Sequence, residues 1–493
     1  LSGPLDPNRL RDAVHTVVNR HPNLAARFCD RFDEPVQVIP ADPAAAWQYV
    51  ELDPGVDGEE QIQQLCAAER AAVCDLANPP AFRVAVIRTA ADRHRLVLTN
   101  HHILMDGWSL QILLREIFIS YYGHRLPAAV SYRRFVSWLA GRDTGGARAA
   151  WREVLAGFDT PTLVGPQDRL GIGPRDFQSF RVSEEATRAV HELARSHHTT
   201  VSTVLQAAFA QLLCSLTGQH DVAFGAVVSG RPAELTGADS MVGLMINTVP
   251  VRANITPATT TKDLLEQLQS AHNHTLEHQH LALSDIHRIT GQERLFDTVF
   301  VFENYPTGTA ASESVDELVI TEVNDRDYYH YPLTIQAAPG RELGLRLQFR
   351  TDVFDAATVE ELIEQFKRVL VAMTSDPTRR LSTGALLEGR GRRAEAQPTK
   401  TDSALEHQDT GDGDRAPASL VERILAGIYA HVLGVDRVGV DESFFDLGGN
   451  SLSAMRAIAA INTAFDINLA VNTFFDASSV RSLSQQLADT SKP

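Results

Sequence analysis

Apolar and polar residues follow two different periods along this chain. Apolar residues recur at helical spacing over 6–20, which predicts an amphipathic helix there. Alternation at 82–86 and again at 96–98 predicts two strands, with a polar turn at 91–93 between them. The presence of both periods in the first hundred residues indicates a mixed α/β domain.

The rest of the chain repeats this mixture. Helices are predicted over 132–138 and 147–155, and the Gly- and Pro-rich stretch at 165–174 is typical of a crossover between two halves. The second half contains the predicted helices 184–196, 201–216 and 357–374 and the predicted strands 222–228, 248–251, 298–302 and 344–350. We therefore expect two α/β lobes, over 1–165 and 175–387.

The chain changes character after the second predicted lobe. Residues 388–417 contain no Phe, Trp or Tyr and are rich in charged residues, Gly, Thr and Ala, so they cannot bury enough apolar surface to fold. We predict a flexible linker there and assign the basic run at 390–393 to it rather than to a nucleic-acid site. Helical spacing returns over 418–493, where Ser419 and Glu422 form a capping-box pattern. This predicts a small helical bundle.

Composition and charge exclude several classes of protein. At 493 residues the chain is too long for one ordinary core, so two or three domains are expected. The net charge of −17 argues against a nucleic-acid partner and against an anionic membrane surface. No signal peptide or spanning segment is visible, because the most apolar helix, 201–216, is interrupted by Gln206 and Gln211.

The four cysteines lack any metal-ligand spacing. They indicate reduced thiols and hence a cytoplasmic location, and we predict no metal site. His274, Glu277, His278 and His280 cluster on what is expected to be one helix. A third ligand group at metal spacing does not follow, so a structural or surface role is the better interpretation.

Two adjacent histidines stand where a strand pattern gives way to a helix pattern. The run His101-His102-Ile103-Leu104-Met105-Asp106-Gly107 lies between extended residues 95–100 and a predicted helix that ends at Gly123. A neutral imidazole can accept a proton from an amine or hold it by a hydrogen bond near neutral pH. The aspartate can fix the loop geometry, and Gly107 leaves room for a substrate or permits a dihedral that other residues resist.

The two histidines are expected to have different roles. If the strand alternation continues, Asn100 and His102 share one face and His101 points to the other. We predict that His102 is the working group and that His101 is structural. The alternative is a buried histidine pair followed by an ordinary Asp-Gly turn.

A serine near the C-terminus is the second chemical signal. In Asp446-Leu447-Gly448-Gly449-Asn450-Ser451-Leu452, two glycines lead into a serine that opens a predicted helix. A hydroxyl beside the free backbone N–H groups of a helix N-terminus is well placed to carry a phosphate. The alternative is an N-cap serine, which is common in helical proteins.

Taken together, these stretches resemble a nonribosomal peptide synthetase. Residues 1–387 resemble a condensation domain, and residues 418–493 resemble a peptidyl carrier protein. The condensation motifs occur in family order. They are RHPNL at 20–24, HHILMDG at 101–107, SGRP at 229–232, MVGLMINT at 241–248, FDTVF at 296–300 with FEN at 302–304, and HYPL at 330–333.

The resemblance implies a fold and a reaction. The fold is α/β, with two chloramphenicol-acetyltransferase-like lobes in a V-shaped pseudo-dimer and a small four-helix-bundle carrier domain. The reaction is amide formation between a donor aminoacyl or peptidyl thioester and an acceptor aminoacyl thioester, both held on carrier proteins. The catalytic motif falls on His101, His102, Asp106 and Gly107. The matching serine, Ser451, receives 4'-phosphopantetheine.

The implied partners are an upstream donor carrier protein and a phosphopantetheinyl transferase. No stretch resembles an adenylation domain, so one is expected to act in trans or to lie outside this sequence. Two further functions are consistent with the motifs. An epimerisation domain shares the His-His-Asp-Gly pattern, and a non-catalytic recruitment platform could carry it in degenerate form.

Two features depart from the family pattern. The chain begins past the strand with which the family usually opens, so its start is expected to be truncated. An arginine thought to pair with the motif aspartate is replaced by Ala25. Arg20 or Arg27 is the expected substitute partner of Asp106.

Overall fold

We describe the protein from a computed structural model. It describes residues 1–32, 35–52, 58–72, 75–77, 80–165, 173–303, 318–324, 329–381, 419–435, 437–445, 447, 449, 451–465, 467, 469, 473–474 and 477–490. The chain forms two compact units. The predicted linker 388–417 and most of the predicted crossover at 165–174 lie outside the described residues.

The first unit consists of the described parts of Leu1–Arg142, Leu235–Ile246 and Tyr305–Tyr328. Its elements are α1 (Pro7–Arg20), β1 (Arg27–Cys29), β2 (Val36–Val38), β3 (Ala46–Glu51), α2 (Gly58–Ala71), β4 (Phe82–Ala90), β5 (Arg93–Asn100), α3 (Gly107–Tyr121) and α4 (Arg133–Ala140). Strand β4 pairs in parallel with β3 and antiparallel with β5, while β1 and β2 form a separate ribbon. Helices α1 and α3 share one hydrophobic core with the inner face of β4.

The second unit consists of the described parts of Asp143–Glu234, Asn247–Asn304 and Tyr329–Pro493. Before the helical region at its end, its elements are α5 (Thr144–Val154), β6 (Arg175–Arg181), α6 (Glu184–Ser196), α7 (Val201–Thr217), β7 (Asp221–Val228), β8 (Asn247–Asn254), α8 (Thr261–Thr275), α9 (Leu283–Thr290), β9 (Thr298–Phe302), β10 (Leu333–Ala338), β11 (Gly344–Arg350) and α10 (Ala356–Ser375). The described strands form one sheet in the order β6-β11-β10-β9-β7-β8. Strand β9 is parallel to β7 and β10, and the other pairs are antiparallel.

Helix α7 lies at the centre of the larger core of this unit. Its residues from Thr203 to Cys214 are almost all buried, which explains why its sequence is largely apolar around the whole helix apart from Gln206 and Gln211. It shares this core with α6, α8 and α10 and with one face of the sheet. A glycine, Gly218, ends the helix in the left-handed conformation that favours glycine.

The C-terminal region, residues 419–490, has its own hydrophobic core. Its described helices are α11 (Leu420–Leu433), α12 (Ser451–Phe465) and α13 (Val480–Thr490). At the centre of that core, the ring of Phe444 packs edge to face against Tyr429 and against Phe474, and the latter two rings are tilted relative to each other. The capping box of Ser419 and Glu422 is present at the start of α11, as predicted.

Most predicted elements agree with the structure to within a few residues. The predicted helices at 6–20, 184–196, 201–216 and 357–374 are present, and so are the four strands that were predicted in the second half. Strands β1, β2, β3, β6 and β10, helices α2 and α9, and the part of α8 before His274 were not predicted from the periodicity. Among the described residues no single helix is long and apolar enough to cross a membrane; α6 and α7 reach such a length only as a pair, and that pair is bent by 105°.

Candidate functional site

The histidine loop, which we define as residues 101–106, joins β5 to α3 in the first unit. The amide of His101 donates to the carbonyl oxygen of Ala81 at 3.0 Å, which ties the start of the loop to the residue before β4. Leu104 and Met105 are buried in the core of this unit, whereas His101 and His102 are exposed. The loop is therefore anchored by its apolar part and presents both imidazoles outward.

Strand alternation does not extend into the histidine loop. Strand β5 ends at Asn100, and the chain turns at His102 and Ile103, so the opposite-face prediction for the histidines has no basis in the observed backbone. The two imidazoles nevertheless differ. Nδ1 of His101 accepts a hydrogen bond from the Ile103 amide at 3.1 Å. Within the described parts of the chain, the imidazole of His102 makes no hydrogen bond.

The electrostatics of His101 favour its neutral form. Partial burial of the ring lowers the pKa of His101, and the neighbouring His102 lowers it further. Because Nδ1 accepts the amide bond, the neutral ring carries its proton on Nε2. These features suit the structural role predicted for His101.

Asp106 closes the histidine loop as the N-cap of α3. Its Oδ1 accepts from the amide and from the hydroxyl of Ser109, at 2.8 and 2.7 Å, and its Oδ2 accepts from the amide of Met245 at 3.0 Å. Only 2% of this residue is exposed, so the buried carboxylate is stabilised by these hydrogen bonds. Gly107 begins α3 with a helical backbone, so the conformational reason for a glycine does not apply there.

The expectation that Arg20 or Arg27 replaces the family arginine as the partner of Asp106 is wrong. Arg27 is exposed on β1, and its side chain makes no hydrogen bond or ion pair within the described residues. Nε of Arg20 donates to Oε2 of Glu116 at 2.9 Å, and Nε2 of His21 lies 2.7 Å from the same oxygen. Burial raises the pKa of Glu116, but the hydrogen bonds and charges of His21 and Arg20 outweigh it, so the net pKa is lowered. This cluster joins the end of α1 to α3, about three turns beyond the histidine loop.

A second segment of the first unit lies against the histidine loop. We define residues 239–245 as the strap. The amide of Asp106 donates to the carbonyl oxygen of Gly243 at 3.3 Å, and the hydroxyl of Ser109 lies 2.8 Å from that oxygen and 3.1 Å from the Gly243 amide nitrogen. The cap of α3 and the strap are thus parts of one buried hydrogen-bond network.

Three more side chains hold the strap by its backbone carbonyl oxygens. Nε1 of Trp108 donates to Asp239, Nδ2 of Asn23 to Val242 and the hydroxyl of Tyr132 to Leu244, at 2.9, 3.0 and 2.6 Å. A Cβ at Gly243 would lie 2.1 Å from the Tyr132 ring, so only glycine fits there. Met241 and Met245 of the strap pack with Phe135.

Ser451 is the first residue of α12 in the C-terminal region. Before it, the amide of Gly449 donates to the carbonyl oxygen of Phe444 at 3.0 Å. A Cβ at Gly449 would lie 2.3 Å from the Phe444 ring, so the approach to the helix requires glycine. The backbone therefore places residue 451 at a helix N-terminus, where the orphan N–H groups suit a phosphodiester.

The histidine-rich stretch after α8 is not one helix. Helix α8 ends at Thr275, a short 3-10 turn covers Leu276–His278, and His280 lies in the following loop. His274 pairs with Glu153 at 3.2 Å instead of facing His278. Among the described residues there is no group of three or more His, Cys, Asp or Glu side chains that could hold a metal ion.

Family comparisons match both parts of the chain. The model of the condensation domain matches residues 1–394. The chain belongs to the condensation-domain family. The model of the phosphopantetheine attachment site matches residues 423–487, so this condensation-family chain also contains a domain of that type. The order predicted from the motifs, condensation domain and then carrier domain, is confirmed.

Individual relatives agree with this assignment. Chondramide synthase cmdD of Chondromyces crocatus is 35% identical over 398 residues, which cover 78% of this chain and 10% of that protein. Vanchrobactin synthetase VabF of Vibrio anguillarum is 32% identical over 380 residues, which cover 75% of this chain and 13% of that protein. The chain therefore spans only a small part of the length of these curated relatives.

Solved structures of low sequence identity share the fold. The X-domain from teicoplanin biosynthesis has a TM-score of 0.67 at 21% identity. The first condensation domain of the calcium-dependent antibiotic synthetase, in complex with a substrate analogue, has a TM-score of 0.61 at 20% identity. Each comparison covers 77% of this chain and 90% of the other. The predicted α/β fold class of condensation domains is confirmed.

Sequence reasoning did not assign a role to several residues around the histidine loop of this condensation domain. Ser109 and Trp108 follow the motif directly, and Asn23 and Gly243 lie inside other family motifs at 20–24 and 241–248. The available signal was that three separate family stretches contain polar or glycine residues without an assigned chemistry. In the fold, these residues lie together where the strap packs against the histidine loop and the start of α3.

Proposed function

We propose that this chain forms peptide bonds between carrier-bound substrates in nonribosomal peptide synthesis. The amine of an acceptor aminoacyl thioester attacks the carbonyl carbon of a donor thioester. A carbon–nitrogen bond forms, the carbon–sulfur bond breaks, and the amine proton passes to the departing thiolate. Because a thioester is already reactive, the enzyme needs to position two reactants rather than supply a nucleophile.

His102 is the residue that we assign to the amine. Its imidazole can accept the amine proton or hold the amine by a hydrogen bond, and both roles require a ring that is accessible and not engaged elsewhere. The observation that carries this proposal is the histidine loop, which is anchored on both sides of an exposed His102. We assign His101 and Asp106 to shaping the loop, and Gly107 to leaving space beside it.

Ser451 is the residue that we assign to 4'-phosphopantetheine. When bound, this group supplies the thiol that carries an amino acid as a thioester. The helix N-terminus at residue 451 and the glycine before it suit a phosphodiester at this position. The partners would be a phosphopantetheinyl transferase, an upstream donor carrier protein and an adenylation domain acting in trans or outside this sequence. A cytoplasmic location stays a prediction.

The test uses the whole chain with its acceptor amino acid loaded from a synthetic aminoacyl-CoA, and a separate carrier protein loaded with a donor. Mass spectrometry and chiral analysis of the product separate three functions. A longer peptide supports condensation, an inverted stereocentre indicates the epimerisation alternative, and no product indicates a recruitment platform. We expect the longer peptide.

His102→Ala is expected to lower the condensation rate by at least about 100-fold while the fold survives, because the amine loses its partner. The matched control is His124→Ala, since His124 is exposed in the same unit and outside the histidine loop. Peptide formation at the wild-type rate in His102→Ala would remove this residue from the mechanism.

Ser451→Ala is expected to abolish the mass gain on treatment with a phosphopantetheinyl transferase and CoA. Ser484→Ala is the control, because Ser484 lies on α13 of the same region. A full mass gain in Ser451→Ala would place the attachment on another residue.

A further inference from the structure

Ser109 occupies a central position between the histidine loop and the strap. Its side chain is fully buried, with an exposed fraction of 0%. Its hydroxyl oxygen lies 2.7 Å from Oδ1 of Asp106, 2.8 Å from the carbonyl oxygen of Gly243 and 3.1 Å from the Gly243 amide nitrogen. One hydroxyl therefore contacts both the cap of α3 and the backbone of a segment 134 residues away.

The hydrogen-bonding capacity of a hydroxyl explains how Ser109 connects Asp106 with the strap. The hydroxyl has one proton to donate and can accept from the Gly243 amide at the same time. The carboxylate of Asp106 is the stronger acceptor, so the proton is expected on that side, and the Gly243 amide donates to the oxygen. Asp106 then accepts from Ser109 twice and from Met245 once. Alanine would leave the buried Gly243 amide without this acceptor.

The position of His102 depends on these backbone anchors. The imidazole makes no hydrogen bond within the described residues, so its place is set by the loop on either side. On one side, the His101 amide is bound to Ala81 and the His101 ring is bound to Ile103. On the other side, the loop ends at Asp106, whose carboxylate is held by Ser109 and by the strap.

We infer that Ser109 is a positioning residue for the reaction, acting through Asp106 and the strap to hold the loop that carries His102. This inference rests on the proposed amide-forming function. It assigns Ser109 no contact with the substrate. Loss of the hydroxyl is expected to misplace the imidazole of His102 rather than to weaken binding of the donor. A displacement of that kind lowers kcat.

The experiment compares Ser109→Ala, Ser109→Thr and Thr187→Ala in the full chain loaded as above. Thr187 is the matched control, since it is a buried helical hydroxyl of the second unit that donates to Val182 and accepts from the Leu343 amide, at 3.2 and 3.1 Å. We expect Ser109→Ala to lower kcat about 10- to 100-fold with KM for the donor carrier changed by less than about twofold. Ser109→Thr, which keeps the hydroxyl, should stay within about fivefold of the wild type, and Thr187→Ala within about twofold.

Amide hydrogen exchange gives a readout that does not depend on catalysis. In Ser109→Ala, the amides of Gly243 and Met245 should exchange at least about tenfold faster, because their acceptors are lost or displaced. In Thr187→Ala they should not change. This pattern together with the kcat loss supports the inference.

Three results would overturn the positioning role of Ser109. They are a kcat of Ser109→Ala within about twofold of wild type, unchanged amide exchange at Gly243 and Met245 in Ser109→Ala, and an equal loss of kcat in Thr187→Ala. If the wild-type chain forms no peptide, the proposed function fails on its own. The exchange comparison then still decides whether Ser109 holds the strap against the histidine loop.

Discussion

The histidine loop and the start of α12 each contain a residue to which we assign chemistry, but their backbones are held in place differently. The loop is fixed by bonds to residues far away in the sequence, such as those from Met245 and Gly243 to Asp106 and Ser109. The start of α12 is fixed by neighbours only a few residues away, through Gly449 and Phe444. A site made from distant segments depends on the tertiary fold, whereas a site made from local ones depends on its own turn and helix.

This difference predicts where each site is vulnerable. Variants of the strap or of the cap of α3 should impair condensation without affecting modification of the C-terminal region. Variants around Gly449 should slow that modification, while the condensation rate of chains that are already loaded stays unchanged. The following predictions test this separation, beginning with the largest expected effect.

Asp106→Ala is expected to have the largest effect. It removes the acceptor of the Ser109 and Met245 amides in a buried place, so the free energy of unfolding of the first unit should fall by about 4 kcal/mol. The condensation rate should fall at least about 100-fold, because the loop loses its closing anchor. Denaturant unfolding and the carrier-loaded assay measure both.

Asp143→Ala is the control for this change. Asp143 is also an N-cap aspartate, of α5, but it is exposed, and its partners within the described part of the chain are the amides of the first turn of α5. Its loss should lower stability by about 1 kcal/mol and leave condensation unchanged. Equal losses of activity in the two variants would contradict the special position of Asp106.

Gly449→Ala tests the local site. The new Cβ would meet the Phe444 ring and its carbonyl oxygen at 2.3 and 2.5 Å, so the C-terminal region should lose about 3 kcal/mol. Phosphopantetheine transfer should slow, while the network of Asp106 is untouched. Exchange protection in α11 and α13 of the full chain gives the stability change.

Gly427→Ala is its matched control. A Cβ there meets nothing within 4 Å, and the residue lies inside α11, where alanine is the better helix former. We expect a gain of about 0.5–1 kcal/mol. A loss at Gly427 as large as that at Gly449 would mean that the region tolerates no added methyl group, and the Phe444 contact would not account for the effect at Gly449.

The same difference decides how much could be predicted from the sequence. Helix α11 was predictable because its start and its end carry local signals. Ser419 and Glu422 form the capping box, and Gly434 ends the helix. The motif at 101–107 was recognisable, and so was its place between a strand and a helix. Its anchors were not, because no local period connects Ser109 with Gly243. The error over Arg20 has the same cause, since Glu116 gives no local sign of binding it.

Glu116→Gln tests the support of α3 further from the loop. Removing the charge that binds Arg20 and His21 should lower the free energy of unfolding by about 2 kcal/mol at pH 7. The pKa of Glu116 is lower in the folded chain than its ordinary value of 4.5. Its contribution is therefore complete above pH 4.5 and is lost as the pH falls through the lowered pKa.

The difference in stability between the wild type and Glu116→Gln should accordingly narrow below pH 4.5 and be absent once the carboxyl is protonated. Denaturant midpoints of both variants, measured from about pH 3 to about pH 7, give this stability difference across the range in which a carboxyl titrates. A gap that widens toward low pH would contradict the assigned direction. Condensation should fall less than in Asp106→Ala, because the carboxylate of Glu116 bonds Arg20 and His21 rather than the loop or the strap.

Ser419→Ala is expected to have the smallest effect. Ser419 accepts from the Glu422 amide at 3.0 Å, while the Glu422 carboxylate accepts from the Ser419 amide at 2.9 Å. Losing the hydroxyl should lower the stability of the C-terminal region by about 1 kcal/mol, and Ser419→Asp should restore most of it, since aspartate is an equally good N-cap. Exchange in the first turn of α11 measures the change. If Ser419→Ala also slowed condensation by an already loaded chain, the C-terminal region and the histidine loop would be coupled, which would contradict their separation.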